Sequence, residues 1–176
     1  IQYLNVHSAI EQMRQKAEER ESKGPSVLVV GGCDVGKSTL CRILINYAVR
    51  LGHRPIFVDL DVGQGSISIP GTISSLLIER PSPIDDNFSQ LAPLVIHYGH
   101  KSPENHELYK MCVSSLADIT IDRLKEDKRT MASGLIINTC GWVKGPGYQL
   151  LLNAAKAFEV NVILVIDQER LFNEIL

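Results

Sequence analysis

Gly31-Gly32-Cys33-Asp34-Val35-Gly36-Lys37-Ser38 follows directly on the apolar run Val27-Leu28-Val29-Val30 and satisfies the pattern G-x-x-x-x-G-K-[ST] at every fixed position. The pattern has a mechanical meaning. A strand delivers a glycine-rich loop whose backbone N–H groups turn inward, and a helix starting near Lys37 brings its positive end to the same point. The sequence on either side agrees. After Thr39, the residues Leu40, Ile43, Leu44, Tyr47, Ala48 and Leu51 recur at helical spacing, and Gly52 stands where such a helix stops. The loop therefore predicts a site for a nucleoside triphosphate in which Lys37 reaches the β- and γ-phosphate oxygens and the Ser38 hydroxyl ligates Mg²⁺, with Thr39 supplying a second hydroxyl.

The 176 residues suffice for one α/β domain and a single core. An apolar fraction of 44% and a charged fraction of 22% are those of a globular protein rather than a disordered one. No apolar run approaches the ~20 residues that span a bilayer, and Ile1-Gln2-Tyr3-Leu4 lacks the pattern of a signal peptide, so no membrane association and an intracellular setting are expected. Cys33, Cys41, Cys112 and Cys140 are scattered and read as reduced thiols; neither they nor the five histidines stand at metal-ligand spacing. A formal net charge of −2 argues against coating long stretches of nucleic acid, while leaving room for gripping one chain end. A first residue other than Met suggests a trimmed core of something longer.

Along the chain, Val6, Ile10, Met13 and Ala17 share one face of a helix expected over residues 5 to 21, which Lys23-Gly24-Pro25 ends. Strands are expected at 26–31, 56–60, 73–79, 94–98, 134–138 and 161–166, and helices at 37–51, 104–126 and 146–158, with Pro81-Ser82-Pro83 read as a turn. The runs at 134–138 and 161–166 are continuously apolar rather than alternating, which implies strands covered on both faces. The expected fold is α/β, a P-loop NTPase-type domain over residues 1–176, with a mostly parallel sheet and helices on both faces.

The second strand ends Ile56-Phe57-Val58-Asp59-Leu60-Asp61, so two carboxylates two residues apart share one face at the carboxyl end, where ligands bind in open α/β sheets. Such an aspartate holds the metal or accepts a proton from an attacking hydroxyl, although either one could instead cap the segment that follows. Asp61 is favoured because it leads straight into Gly63-Gln64-Gly65. A GTP switch would need N-K-x-D where the chain has Val165-Ile166-Asp167-Gln168, and ATPases with a second signature lysine would carry it at Gly31. An aspartate on the strand next to the phosphate loop is instead the arrangement of kinases acting on a small acceptor, held near Asp61 and in line with the γ-phosphate.

Four blocks extend the likeness beyond the loop: Gly36-Lys37-Ser38-Thr39-Leu40-Cys41-Arg42; Asp59-Leu60-Asp61-Val62-Gly63-Gln64-Gly65-Ser66 with Ile69-Pro70-Gly71-Thr72; Ile137-Asn138-Thr139-Cys140-Gly141-Trp142-Val143-Lys144-Gly145; and Asp167-Gln168-Glu169-Arg170-Leu171. Together they resemble the polynucleotide 5′-hydroxyl kinases, in particular the eukaryotic RNA kinase subunit of pre-mRNA cleavage and tRNA-splicing endonuclease complexes. The resemblance covers essentially the whole chain. It implies ATP-dependent phosphorylation of RNA 5′-hydroxyl ends in mRNA and tRNA processing, a nuclear location, and protein partners in those complexes. Gly31 and Asp34, Val35, Gly36, Lys37, Ser38 and Thr39 would contact ATP; Lys37 and Asp61 would be catalytic; Ser38 and Asp61 would hold Mg²⁺. Gln64, Thr139, Gly141 and Trp142 would hold the RNA end, with Trp142, the only tryptophan, stacking on a base. Family members also carry a flanking N-terminal domain, an arginine-bearing lid and a C-terminal domain. An ATP-locked scaffold without turnover is the alternative, and an ATPase that transfers to water is a third reading. Intact Lys37, Ser38 and Asp61 favour the enzyme.

Overall fold

A computed structural model describes residues 2 to 83, residue 88 and residues 92 to 175. The strands are β1 (Ser26–Gly31), β2 (Ile56–Asp59), β3 (Thr72–Leu77), β4 (Leu94–His97), β5 (Leu135–Asn138) and β6 (Val162–Ile166). The helices are α1 (Gln2–Glu19), α2 (Lys37–Arg50), α3 (His106–Glu126), α4 (Lys128–Ser133), α5 (Pro146–Ala157) and α6 (Glu169–Ile175). One six-stranded sheet runs in the order β4-β3-β2-β5-β1-β6; β2, β5, β1 and β6 are parallel, and β3 pairs antiparallel with both β2 and β4.

Alternate residues of the central strands face opposite layers, as a pleated strand requires. Leu28, Val30, Val58 and Ile137 pack with Val113, Leu116 and Ala117 of α3 and Leu150, Leu151 and Ala154 of α5. Val27, Val29, Phe57 and Ile136 pack on the other side with Ile10 of α1 and Leu40, Leu44 and Ile45 of α2. Two layers of helices on one sheet account for the continuous apolarity of the strands.

The expected elements are present, with three differences that have physical causes. Short α4 was missed because its six residues carry no apolar period; Asp127 caps it, accepting hydrogen bonds from Thr130 N at 3.0 Å and Arg129 N at 3.4 Å. Helix α6 follows β6 and was likewise too short to show a repeat. Pro81-Ser82-Pro83 forms no turn; Ser82 N donates to Asn46 Oδ1 at 2.8 Å and Arg42 Nη2 donates to Ser82 Oγ at 2.7 Å, which ties the segment to α2.

A fourth difference matters for the site. The strand that ends in Asp59 is not next to the phosphate-loop strand, because β5 is inserted between them. Sequence order suggested adjacency, but a crossover connection can skip a position in a parallel sheet. In register, Asp59 lies beside Asn138 of β5, and Asn138 beside Val29 of β1. The polar end of β5 therefore stands between the carboxylates and the loop.

Candidate active site

Gly36 is the N-cap of α2 with φ of 93°, a left-handed conformation that glycine adopts without strain, and no side chain caps the helix. The first N–H groups of α2 are thus left for an anionic ligand. Lys37 is only 6% exposed, and its Nζ donates to Gly32 O at 2.6 Å, so the ammonium is held over the loop with donors to spare. Asp34, with φ of 56°, Gly36, Lys37, Ser38 and Thr39 line a cleft of about 650 Å³ at the carboxyl ends of the strands. Gly31 and Val35 lie outside that lining. A Cβ on Gly31 would stand 2.6 Å from Ile166 O and 3.0 Å from Val35 Cγ2, so these two residues pack the loop against β6 and shape it from below.

The opposite wall is built on two carboxylates with different environments. Asp59 is 1% exposed and saturated: Oδ2 accepts from Ser66 N and Ser66 Oγ, both at 2.7 Å, and Oδ1 from Asp61 N and Asn138 Nδ2, both at 3.1 Å. Burial pushes its carboxyl above the usual range, and those hydrogen bonds oppose the shift. Asp61 is half-buried and lines the cleft. Its Oδ1 accepts from Gly63 N at 2.9 Å and Gln64 N at 3.0 Å, while Oδ2 accepts from no described residue. Asp59 thus shapes the loop, and Asp61 keeps an oxygen for a ligand. Tyr109 of α3 donates to Leu60 O at 2.8 Å, which fixes the backbone between them, and burial keeps that phenol protonated by raising its pKa well above normal.

The segment after β5 completes the cleft. Gly141 lines it and also closes it: a Cβ there would meet Cys33 N at 2.6 Å and Cys33 Cα at 2.8 Å, so only glycine lets this backbone lie against the phosphate loop. Trp142 is half-buried, lines the cleft, and its ring centroid lies 5.4 Å from that of His106, tilted by 49°. Gln64 is exposed at the rim. Thr139 requires a correction as an RNA contact: its side chain is 2% exposed and its hydroxyl donates to Val29 O at 2.8 Å, so it braces β5 against β1 rather than facing the cleft.

Lys101, Ser102, Pro103 and Cys140, which are not among the expected site residues, also line the cleft. Lys101 is exposed, forms no ion pair among the described residues, and its carbonyl oxygen lies 3.0 Å from where a Cβ on Gly63 would stand. No local pattern marks it, since the fold alone brings this loop over Gly63. Asn138 was also missed, although a polar residue closing the apolar strand Leu135–Asn138 is a readable signal.

Ser38 and Asp61 offer hard oxygen donors of the kind Mg²⁺ takes, and a second feature fits a hydrated cation. Asn138 Oδ1 is buried with no partner among the described residues, and a buried acceptor of this kind is satisfied by a water such as a bound cation carries.

Fold and loop together define a phosphate-loop nucleotide-binding domain. Residues 31–176 match the family model for the P-loop of the mRNA cleavage and polyadenylation factor CLP1. CLP1 homologs from Culex quinquefasciatus and Aedes aegypti are 60% and 62% identical over the whole of this chain, which spans 42% of each of them. The chain therefore belongs to the CLP1 P-loop family. Among solved structures, a wild-type Clp1p–Pcf11p complex superposes with a TM-score of 0.83 at 26% identity, covering 98% of this chain and 43% of that one. A second Clp1p structure, described with its Pcf11p interface and the basis of ATP loss in a point mutant, gives the same TM-score at 25% identity. The chain spans less than half the length of the relatives it matches.

Proposed function

We propose that this domain binds ATP with Mg²⁺ and transfers the γ-phosphoryl group to the 5′-hydroxyl end of RNA. The observation that carries the reading is a single cleft with a donor half and an acceptor half, the phosphate loop on one wall and Asp61, Gln64 and Trp142 on the others. The 5′-oxygen attacks the γ-phosphorus in line, the bond from that phosphorus to the ADP oxygen breaks, and the hydroxyl proton passes to Asp61. Products are ADP and 5′-phosphorylated RNA. Lys37 and the first N–H groups of α2 hold the phosphates as charge shifts toward ADP, and Ser38 and Asp61 would hold Mg²⁺, which neutralises phosphate charge when bound. Water alone would need neither Trp142 nor an exposed lysine on the acceptor wall.

The decisive measurement follows the γ-phosphate label from ATP in the presence of a 5′-hydroxyl oligoribonucleotide. Label on the RNA is expected; label released only as phosphate indicates an ATPase and overturns the proposal. The complexes of Clp1p with Pcf11p favour a second reading, an ATP-locked docking subunit, for which label would stay on ATP. Under either reading the proposed setting is the nucleus, with proteins of the cleavage and polyadenylation and tRNA-splicing endonuclease assemblies as partners.

Trp142 tests RNA as the ligand. With a net charge of −2, affinity comes from a few contacts at the chain end rather than a broad basic surface. Base–aromatic stacking contributes about 1–3 kcal/mol, so Trp142→Ala is expected to weaken RNA binding by roughly 5- to 150-fold with ATP affinity nearly unchanged. Trp142 also packs against the α3–α5 core, so melting temperatures are measured alongside. Parallel loss of stability and of both affinities would assign the ring to the core alone.

A further inference from the structure

The two halves of the cleft are joined by one buried side chain. Asn138 is 0% exposed, and its amide Nδ2 donates to Ser38 Oγ at 3.3 Å on the nucleotide side and to Asp59 Oδ1 at 3.1 Å on the acceptor side. From Asp59 the chain of bonds continues to Asp61 N and to both the N–H and the hydroxyl of Ser66, so one carboxylate grips both ends of the loop that carries Asp61 and Gln64. Asn138 Oδ1 has no partner among the described residues, which leaves the amide anchored through Nδ2.

We infer that Asn138 is a positioning residue that couples nucleotide binding to ordering of the acceptor loop, so that Mg²⁺-nucleotide and 5′-hydroxyl RNA bind cooperatively; the inference rests on the acceptor reading proposed above. The Ser38 oxygen accepts the amide on one lone pair and has another for a cation. The amide spends one hydrogen on each acceptor, so a cation that fixes the Ser38 oxygen also fixes the amide and, through it, the Asp59 carboxylate. That restraint tightens residues 61 to 66. The effect is reciprocal, since a coupling free energy between two binding sites acts equally on both ligands.

The test is a thermodynamic cycle on the chain described here. Binding of a fluorescent non-hydrolysable ATP analogue with Mg²⁺ is measured with and without a 5′-hydroxyl oligoribonucleotide, and RNA binding with and without the analogue. Each ligand is expected to tighten the other about fivefold or more, at the low end of usual coupling energies. Asn138→Ala is expected to bind each ligand alone while the coupling factor falls toward one. Ser66→Ala removes the hydroxyl half of the relay's far end, leaving the Ser66 N–H bond, and a lowered coupling factor in it carries the test if Asn138→Ala does not fold. Thr139→Val, which removes a neighbouring brace without touching the relay, is expected to leave the factor unchanged. RNA binding with no coupling in the wild type, an unchanged factor in the folded variants, or equal loss in Thr139→Val overturns the inference alone. Absence of RNA binding to the wild type overturns the acceptor reading and the inference with it.

Discussion

Asp61→Asn is expected to lower kcat for RNA phosphorylation by roughly 10²- to 10⁴-fold while the ATP analogue still binds, because the amide keeps the shape of the carboxylate and loses its basicity. Its Oδ1 position can still accept from Gly63 N and Gln64 N, so the loop turn survives the change. Asp59→Asn makes the comparison informative. An amide placed among Ser66 N, Ser66 Oγ, Asp61 N and Asn138 Nδ2 sets one pair of donors against others, so its defect is expected first as a lower melting temperature and weakened RNA binding. Single-turnover rates for both variants at saturating ligands separate a chemical defect from a loop defect. A greater fall in the chemical rate for Asp59→Asn than for Asp61→Asn would reverse the assignment.

Lys37→Ala is expected to reduce the rate on the order of 10²-fold or more, as deletion of one preorganised donor does at other phosphoryl and oxyanion sites. The fold should persist. Among the described residues the ammonium bonds to Gly32 O alone, and Lys37 belongs to neither apolar cluster, so its loss leaves both helical layers intact. Steady-state activity within tenfold of wild type would sink the assignment of the phosphate loop as the donor site. Equal loss for an unrelated reason is excluded by measuring the melting temperature and RNA affinity of the same variant.

The acceptor wall explains why these two side chains carry different burdens. In the proposed reaction Lys37 would act on the phosphates from a loop whose geometry comes from Gly36 and from the packing of Gly31, Val35 and Gly141 around it. Asp61 would act from a loop held by a neighbour, since the buried Asp59 fixes its start and its end. A site on loops is accurate only when rigid elements hold those loops, and here β2, β5 and α3 do so through Asp59, Asn138 and Tyr109.

Much of this was legible in the chain itself. The phosphate loop could be read because its function needs glycines, a lysine and a hydroxyl at fixed local offsets, and the parallel sheet because strands covered on both faces are continuously apolar. Asp61 and Trp142 could be placed near ligands because each follows directly on an apolar strand in a short polar or glycine-rich segment. Sequence order could not reveal that β5 enters between β2 and β1, since local apolarity is the same whichever neighbour a strand takes. Only tertiary structure bonded Asp59 to Ser66 and Asn138, turned Thr139 inward to Val29, brought Lys101 over Gly63, and set Asn138 between Ser38 and Asp59. Each of those outcomes joins residues far apart in the chain through burial and hydrogen bonding, which no periodicity or motif encodes.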